Sequence, residues 1–195
     1  MPRIVDHEQR RQEIADALWR VIRRDGFAAA SVRTVAAEAG WSTGAIRHYF
    51  TSQSELTAFA MATLMERVQA RLTVAGQRVT DLDTLAEMLD EVLPLDAQRR
   101  GESEVWLALA TAARTDPVLG GLAEEAHRGL RSLCESAVRY VAAQTGASLD
   151  TRLETDRLHA LVDGLAVHGT TYPRLMPRTR MRAAVRAHLA DLAAR

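Results

Sequence analysis

The sequence predicts an all-α protein of about nine helices, and three observations carry that expectation. Apolar residues return at three- and four-residue intervals along most of the chain, the spacing of one helix face. No stretch alternates apolar and polar residues for long enough to defend as a strand, and neither a heptad run nor an internal repeat is visible. Caps and breakers fall between the stripes, at Asp25-Gly26, Gly40, Gly76, Pro94, Asp116-Pro117, Gly146, Pro173 and Pro177.

The first helix is expected from Glu8 to Arg24, with Ile14, Ala17, Leu18, Val21 and Ile22 inward, Trp19 near the edge of that face and arginines around the rest. Met1–His7 reads as a short polar arm. Two short helices follow within Ser31–Phe50. Val32, Val35, Ala36 and Ala39 share a face behind Ser31 as N-cap, and Gly40 suits a left-handed helix end. Ser42 or Thr43 caps the next segment, in which Ala45, Ile46, Tyr49 and Phe50 point inward. Thr43, Gly44, Arg47 and His48 are left facing outward. A short helix presenting such residues, held by a preceding helix through a tight turn, has the geometry of a helix-turn-helix reading head.

A fourth helix is expected over about residues 52–73, with a stripe from Leu56 through Phe59, Ala60, Thr63, Leu64 and Val68 to Leu72. The fifth begins at Thr80 or Asp81 and stops near Pro94. Gly101–Arg114 is a strongly apolar sixth. Pro117 opens a long seventh helix running to about Gln144, with Asp116 as its cap. After the loop Gly146–Asp150 come Thr151–Thr170 and Arg178–Ala194.

Composition sets the outer limits. At 195 residues and 47% hydrophobic content the chain can bury a substantial core, and wholesale disorder is excluded. Lys+Arg and Asp+Glu both number 25, which argues against binding a polyanion along the whole surface and leaves room for a local reader. Every one of those cations is arginine, a residue able to form bidentate contacts to phosphate or guanine. Cys134 is the only cysteine, so no internal disulfide or cysteine-rich metal site is expected, which suits a reducing cytoplasm. An apolar signal core and a long apolar run are both missing, so neither secretion nor membrane spanning is expected.

The pattern G-F-x-x-x-S-V-x-x-V-A-x-x-A-G-x-S-x-G-x-I-x-H-Y-F, from Gly26 to Phe50, resembles the DNA-binding domain of the TetR family of transcriptional regulators, and Ser52, Glu55 and Leu56 fit that family's opening of helix four. The resemblance implies a DNA-binding domain over residues 1–50 and an effector-binding and dimerisation domain over 51–195, joined by helix four. It assigns Phe27 to the head's core. It places Ser31 and Arg33 against phosphates, Arg47 on a base edge or phosphate, Thr43 on either, Gly44 where backbone approaches DNA, and His48 and the Tyr49 hydroxyl on phosphate. Thr43 and Gln53 stand where many members carry lysine, so two salt-dependent contacts are missing. Trp41 replaces a small aliphatic residue, and its ring either packs on the core, the favoured reading, or protrudes toward DNA.

The resemblance further implies a homodimer on palindromic double-stranded operator DNA, formed by the last two helices, with Leu158, Leu161, Val162, Leu165, Val185 and Leu189 as interface candidates that can equally pack within one subunit. Leu161–Gly169, LVDGLAVHG, is similar to the choline-responsive BetI-like branch, without establishing choline as ligand. Trp106, Tyr140 and Tyr172 are a thin supply for the aromatic cage a quaternary ammonium wants. Relatives hold small-molecule effectors among their middle helices. Lining candidates are therefore Met88, Trp106, Leu109, Leu130, Cys134, Ala137 and Val162, with Glu104, His127 and His168 as polar anchors. Cys134 reads as a buried hydrophobe or a redox sensor.

The implied mechanism is repression relieved when an effector binds the non-DNA state more tightly, though activators and corepressor-dependent members share the fold. An enzyme is not expected. No nucleophile–base set, phosphate-binding glycine loop or zinc motif is present, Glu124, Glu125 and His127 are too closely spaced, and His159 and His168 fall on opposite sides of their helix, so neither metal nor cofactor is expected. A helical ligand-binding or structural protein without DNA reading is the remaining alternative class.

Overall fold

The computed structural model describes residues 7–146 and 148–195, all helix and loop. The arm over residues 1–6 lies outside the described residues. Nine α-helices are present among those described: α1 His7–Asp25, α2 Val32–Ala39, α3 Thr43–Tyr49, α4 Gln53–Gly76, α5 Leu82–Asp90, α6 Ala97–Ala112, α7 Pro117–Thr145, α8 Thr151–Thr171 and α9 Arg178–Ala193, with a 3-10 turn at Phe27–Ala29. The expected caps are in place. Ser31, Ser42 and Asp81 each accept the backbone N–H three residues on, Gly40 closes α2 at φ 71°, and Asp150, read from sequence only as the end of a loop, caps α8 in the same way. Helix α6 starts ahead of Gly101 because the Asp96 carboxylate accepts the Arg99 amide at 2.8 Å, an N-cap the periodicity did not reveal.

The chain divides into two compact units. One joins the described part of Met1–Glu66 to Glu104–Ala123; the other joins Arg67–Ser103 to Glu124–Arg195. This differs from the expected division at residue 50, because the first half of α4 and the α6–α7 corner pack with the head. Ser54 donates to the Asp116 carboxylate at 2.9 Å, and Arg23 pairs with Glu104 at 2.9 Å.

In the first unit Ile14, Leu18, Val21, Val35, Ile46, Phe50, Leu56 and Met61 are fully buried. Phe50, with the half-buried Phe59 against it at 5.3 Å, fills the centre, and Arg11 lies over both rings. Phe27, expected in that core, is only half-buried in the 3-10 turn.

In the second unit α5 packs on α9, and α9 on α8. Leu85, Leu89, Val138, Val141, Leu158, Val162, Val185 and Leu189 form one apolar cluster with Cys134 and Ala137. Gly169 of α8 permits close approach here, since a Cβ at that position would stand 2.5 Å from Met181 Sδ and 2.9 Å from Pro94 Cγ. Two carboxylates are buried in this unit with partners, as burial of charge requires. Asp90 pairs with Arg182 at 2.8 Å, and Glu154 pairs with Arg157 and Arg195 at 2.8 and 2.6 Å. Burial raises the Asp90 pKa, an effect that Arg182 and Arg186 oppose.

Candidate nucleic-acid interface

Helices α2 and α3 meet through Gly40–Ser42. The Gly40 and Trp41 amides both return to carbonyls of the last turn of α2, and the Ser42 hydroxyl accepts the Ala45 amide of α3 at 3.1 Å, so both sides of the corner are closed. Glu38 then fixes α2 against α1, accepting from Arg20 and Arg24 at 2.7 Å each. Hydrogen bonds from these two guanidinium groups hold the Glu38 carboxyl below the usual carboxylate range. Trp41 is packed: its ring meets Tyr49 edge-on at 5.6 Å and lies under the Arg10 guanidinium at 5.2 Å. Tyr49 also touches His7 at 4.5 Å, so its ring braces α3 against α1.

On this frame Ser31, Arg33, Thr43, Gly44, Arg47 and His48 are exposed and Tyr49 is half-buried. The cations are sorted in a revealing way. Arg10, Arg20, Arg23 and Arg24 of α1 each pair with a carboxylate, and Arg11 lies on aromatic rings. Among the described arginines of the head, only Arg33 and Arg47 have no ion pair, hydrogen bond or ring contact from their side chains. A desolvated, unpaired cation is costly and an exposed one is available, so these two guanidinium groups remain open to an anionic partner.

Gly44 needs no special backbone and has room for a side chain, its nearest obstacle being Ser42 Oγ at 3.8 Å from an added Cβ. Nothing inside the protein requires glycine there. The start of α2 is less free than the sequence suggested. Thr34 N–H is taken by Ser31 Oγ at 3.2 Å and Val32 N–H by Gln53 Oε1 at 3.2 Å. Gln53, read from sequence only as a missing lysine, thus caps α2 from the first residue of α4. Two of the amides that would draw a phosphate are therefore already satisfied.

A family model of bacterial regulatory proteins, tetR family, matches residues 14–58, and one of the BetI-type transcriptional repressor C-terminal domain matches residues 81–194. The HTH-type transcriptional regulator PksA of Bacillus subtilis is 35% identical over 195 residues, covering 98% of this chain and 94% of its own. The chain belongs to the TetR family. This TetR-family chain is also 29% identical to the HTH-type nicotine-responsive transcriptional repressor HdnoR of Paenarthrobacter nicotinovorans, over 81% of this chain and 82% of that one. A crystal structure of a transcriptional regulator from Rhodococcus sp. Rha1 superposes with a TM-score of 0.83 at 30% identity, covering 94% of this chain and 96% of that one. The match places the chain among transcriptional regulators and not enzymes; members of the family bind DNA and act as dimers with small-molecule effectors. No described helix is long and apolar enough to cross a membrane.

The expected effector set is divided between the two units. Met88, Cys134, Ala137 and Val162 are buried in the apolar cluster of the second unit, with Leu130 packed against it. Burial pushes the Cys134 thiol up to about 12, so it is a small hydrophobe and a poor redox sensor. Glu104, Trp106 and Leu109 belong to the first unit, where Glu104 is engaged by Arg23. His127 and His168 are exposed. An open hollow of about 690 Å³ lies elsewhere, beside Arg11, Glu55, Phe59, Val118 and Leu122, and is lined by none of the ten.

The interface expectation needs a similar correction. Leu158, Val162, Leu165, Val185 and Leu189 are at most 5% exposed within their own subunit, so they form its core; only Leu161 keeps partial exposure. The apolar stripe of each helix was legible, but periodicity does not say which neighbour it meets.

One cluster was missed entirely. His127 of α7 and His159 and Asp163 of α8 offer ligand atoms that all lie within 4.8 Å of one another. The available signal was the i,i+4 His159–Asp163 spacing; the third member comes from another helix.

Proposed function

We propose that this chain is a ligand-released repressor that reads a palindromic operator as a homodimer, through Ser31, Arg33, Thr43, Gly44, Arg47, His48 and Tyr49 of each head. The observation that carries the reading is the pair of unengaged guanidinium groups at Arg33 and Arg47, in a head whose other described arginines are all committed. Arg47, on the exposed side of α3, serves base recognition; Arg33, beside the α2 N-terminus, serves phosphate. Two heads on a twofold axis multiply the specificity of one short helix.

The dimer uses the outward faces of α8 and α9. Leu153, Ala160 and Val167 on α8 and Ala183, Ala187 and Ala190 on α9 are exposed at helical spacing. Small side chains there allow two helix pairs to pack closely. A small molecule in the BetI-type region then favours an arrangement of the heads that no longer fits the operator, and it releases DNA only to the extent that it binds that arrangement more tightly. HdnoR, whose name makes it a nicotine-responsive repressor, supports this sense of control.

The test is fluorescence anisotropy on the chain's own upstream DNA beside a scrambled duplex, at two salt concentrations. Tight binding confined to the native duplex is expected. If both duplexes bind weakly and alike, selection from a random DNA pool decides, and failure to enrich any sequence overturns the reading.

A further inference from the structure

His127, His159 and Asp163 bring three metal-ligating side chains to one point in the second unit, and only His127 among them carried an earlier expectation, as a polar anchor for an effector. Helix α8 supplies two of them, one turn apart on a single face, and α7 supplies the third. The two imidazole rings stand 4.6 Å apart, centroid to centroid. His159 is only 7% exposed, and its Nε2 has no hydrogen-bond partner. That nitrogen faces Asp163 Oδ2 at 3.4 Å, too far for a good hydrogen bond. Two donors bound at about 2.0–2.1 Å around a tetrahedral ion are themselves roughly 3.4 Å apart, so this edge of a coordination tetrahedron is already set. His127 and Asp163 are exposed, which gives an ion from solvent a path to the buried nitrogen.

We propose that these three side chains form a binding site for a divalent late first-row transition ion of the zinc class, bridging α7 to α8 and leaving a fourth position for water. Two imidazoles with one carboxylate favour zinc, nickel or copper over magnesium or calcium, which prefer all-oxygen sets. The unpartnered Nε2 acquires a partner, and the carboxylate neutralises part of the ion's charge. Arg128 and Arg131 are the cations nearest to His127 in sequence on α7; Arg128 is paired with Glu124 at 3.4 Å, and the charge of Arg131 is compensated by Asp156 at 3.1 Å and Glu135 at 3.6 Å.

The experiment uses the full-length protein, freed of metal with a chelator and titrated with Zn²⁺ by calorimetry and with Co²⁺ by visible absorption. His127→Ala and Asp163→Asn are run beside it, with His48→Ala as a control for the other histidine pair, His7 and His48. We expect one ion per chain, unaffected by millimolar Mg²⁺, with a tetrahedral Co²⁺ spectrum. Affinity should fall by at least about tenfold in both ligand variants, since even outer-shell partners of a metal site matter by that factor, and stay unchanged in His48→Ala. A rise in melting temperature with Zn²⁺ should vanish in the same two variants. No binding, or binding that survives both ligand variants, overturns the proposal.

Discussion

The reading head and the second unit use the same material in opposite ways. In α2 and α3 the apolar residues form a small, shared core and the polar ones are left outside, each at a position set by two or three neighbours along the chain. In the second unit the apolar stripes of α5, α7, α8 and α9 close on one another, and the polar groups that matter are brought together from distant segments. The difference teaches which kind of site a sequence can announce. A site made by one local motif carries its geometry in its spacing. A site made where helices cross does not.

Five substitutions sharpen that contrast. The largest effect is expected from Leu158→Ala, fully buried in the α8–α9 core. It should cost about 2–5 kcal/mol in denaturant unfolding, as large-to-small core changes do, with dimerisation of the folded protein retained. A variant that stays as stable as the parent and becomes monomeric would instead return this residue to the interface.

Next comes Arg47→Ala, with about 1–3 kcal/mol lost in operator binding and relaxed specificity at the base it reads. Arg33→Ala should weaken all sequences alike and lower the salt slope by about 1. Anisotropy on variant duplexes separates the two; identical behaviour of both variants would remove the distinction between base and phosphate contacts.

Gly44→Ala isolates the role of the missing side chain. Because the protein leaves room for a Cβ, the free head should gain up to about 1 kcal/mol of helix stability. Operator affinity should nonetheless fall, because only the DNA is crowded. Unchanged affinity in a stabilised protein would mean that backbone does not approach DNA at this point.

The smallest effect concerns pH. The Asp81 carboxylate accepts from the Thr84 amide and hydroxyl, and these bonds hold its pKa below the ordinary value. The folded state therefore binds fewer protons here than the unfolded chain does. Its stabilisation is present above the ordinary carboxylate range and is lost as pH falls through the depressed value. Asp81→Asn keeps an oxygen cap and removes the titration, so melting temperature should decline less steeply in acid. An equally steep decline would assign the acid sensitivity to other carboxylates.

The limits of legibility follow the same contrast. Ser31, Gly40 and Ser42 could be placed from sequence because a cap is defined by the residues it closes. The outward set from Thr43 to His48 followed from the same short period. Leu158 and Val185 were recognised as apolar helix faces, yet nothing in a 3.6-residue period distinguishes a partner subunit from the next helix of the same chain. Gln53 was judged by the charge it lacks, while its use depends on where its amide oxygen points. His127 could not be connected to His159 because their encounter is created by the crossing of α7 and α8.

The first turn of α4 ends up with two tethers on consecutive residues. Gln53 is tied to the start of α2 at 3.2 Å, and Ser54 to the Asp116 cap of α7 at 2.9 Å. With 24 residues, α4 is a rod about 36 Å long. A pivot of about 5° around its middle moves either tip by roughly 1.5 Å at that length, more than a hydrogen bond can stretch and survive. Such a pivot would snap one or both tethers instead of bending them, so the head would meet it as a latch, held or let go, with little travel in between.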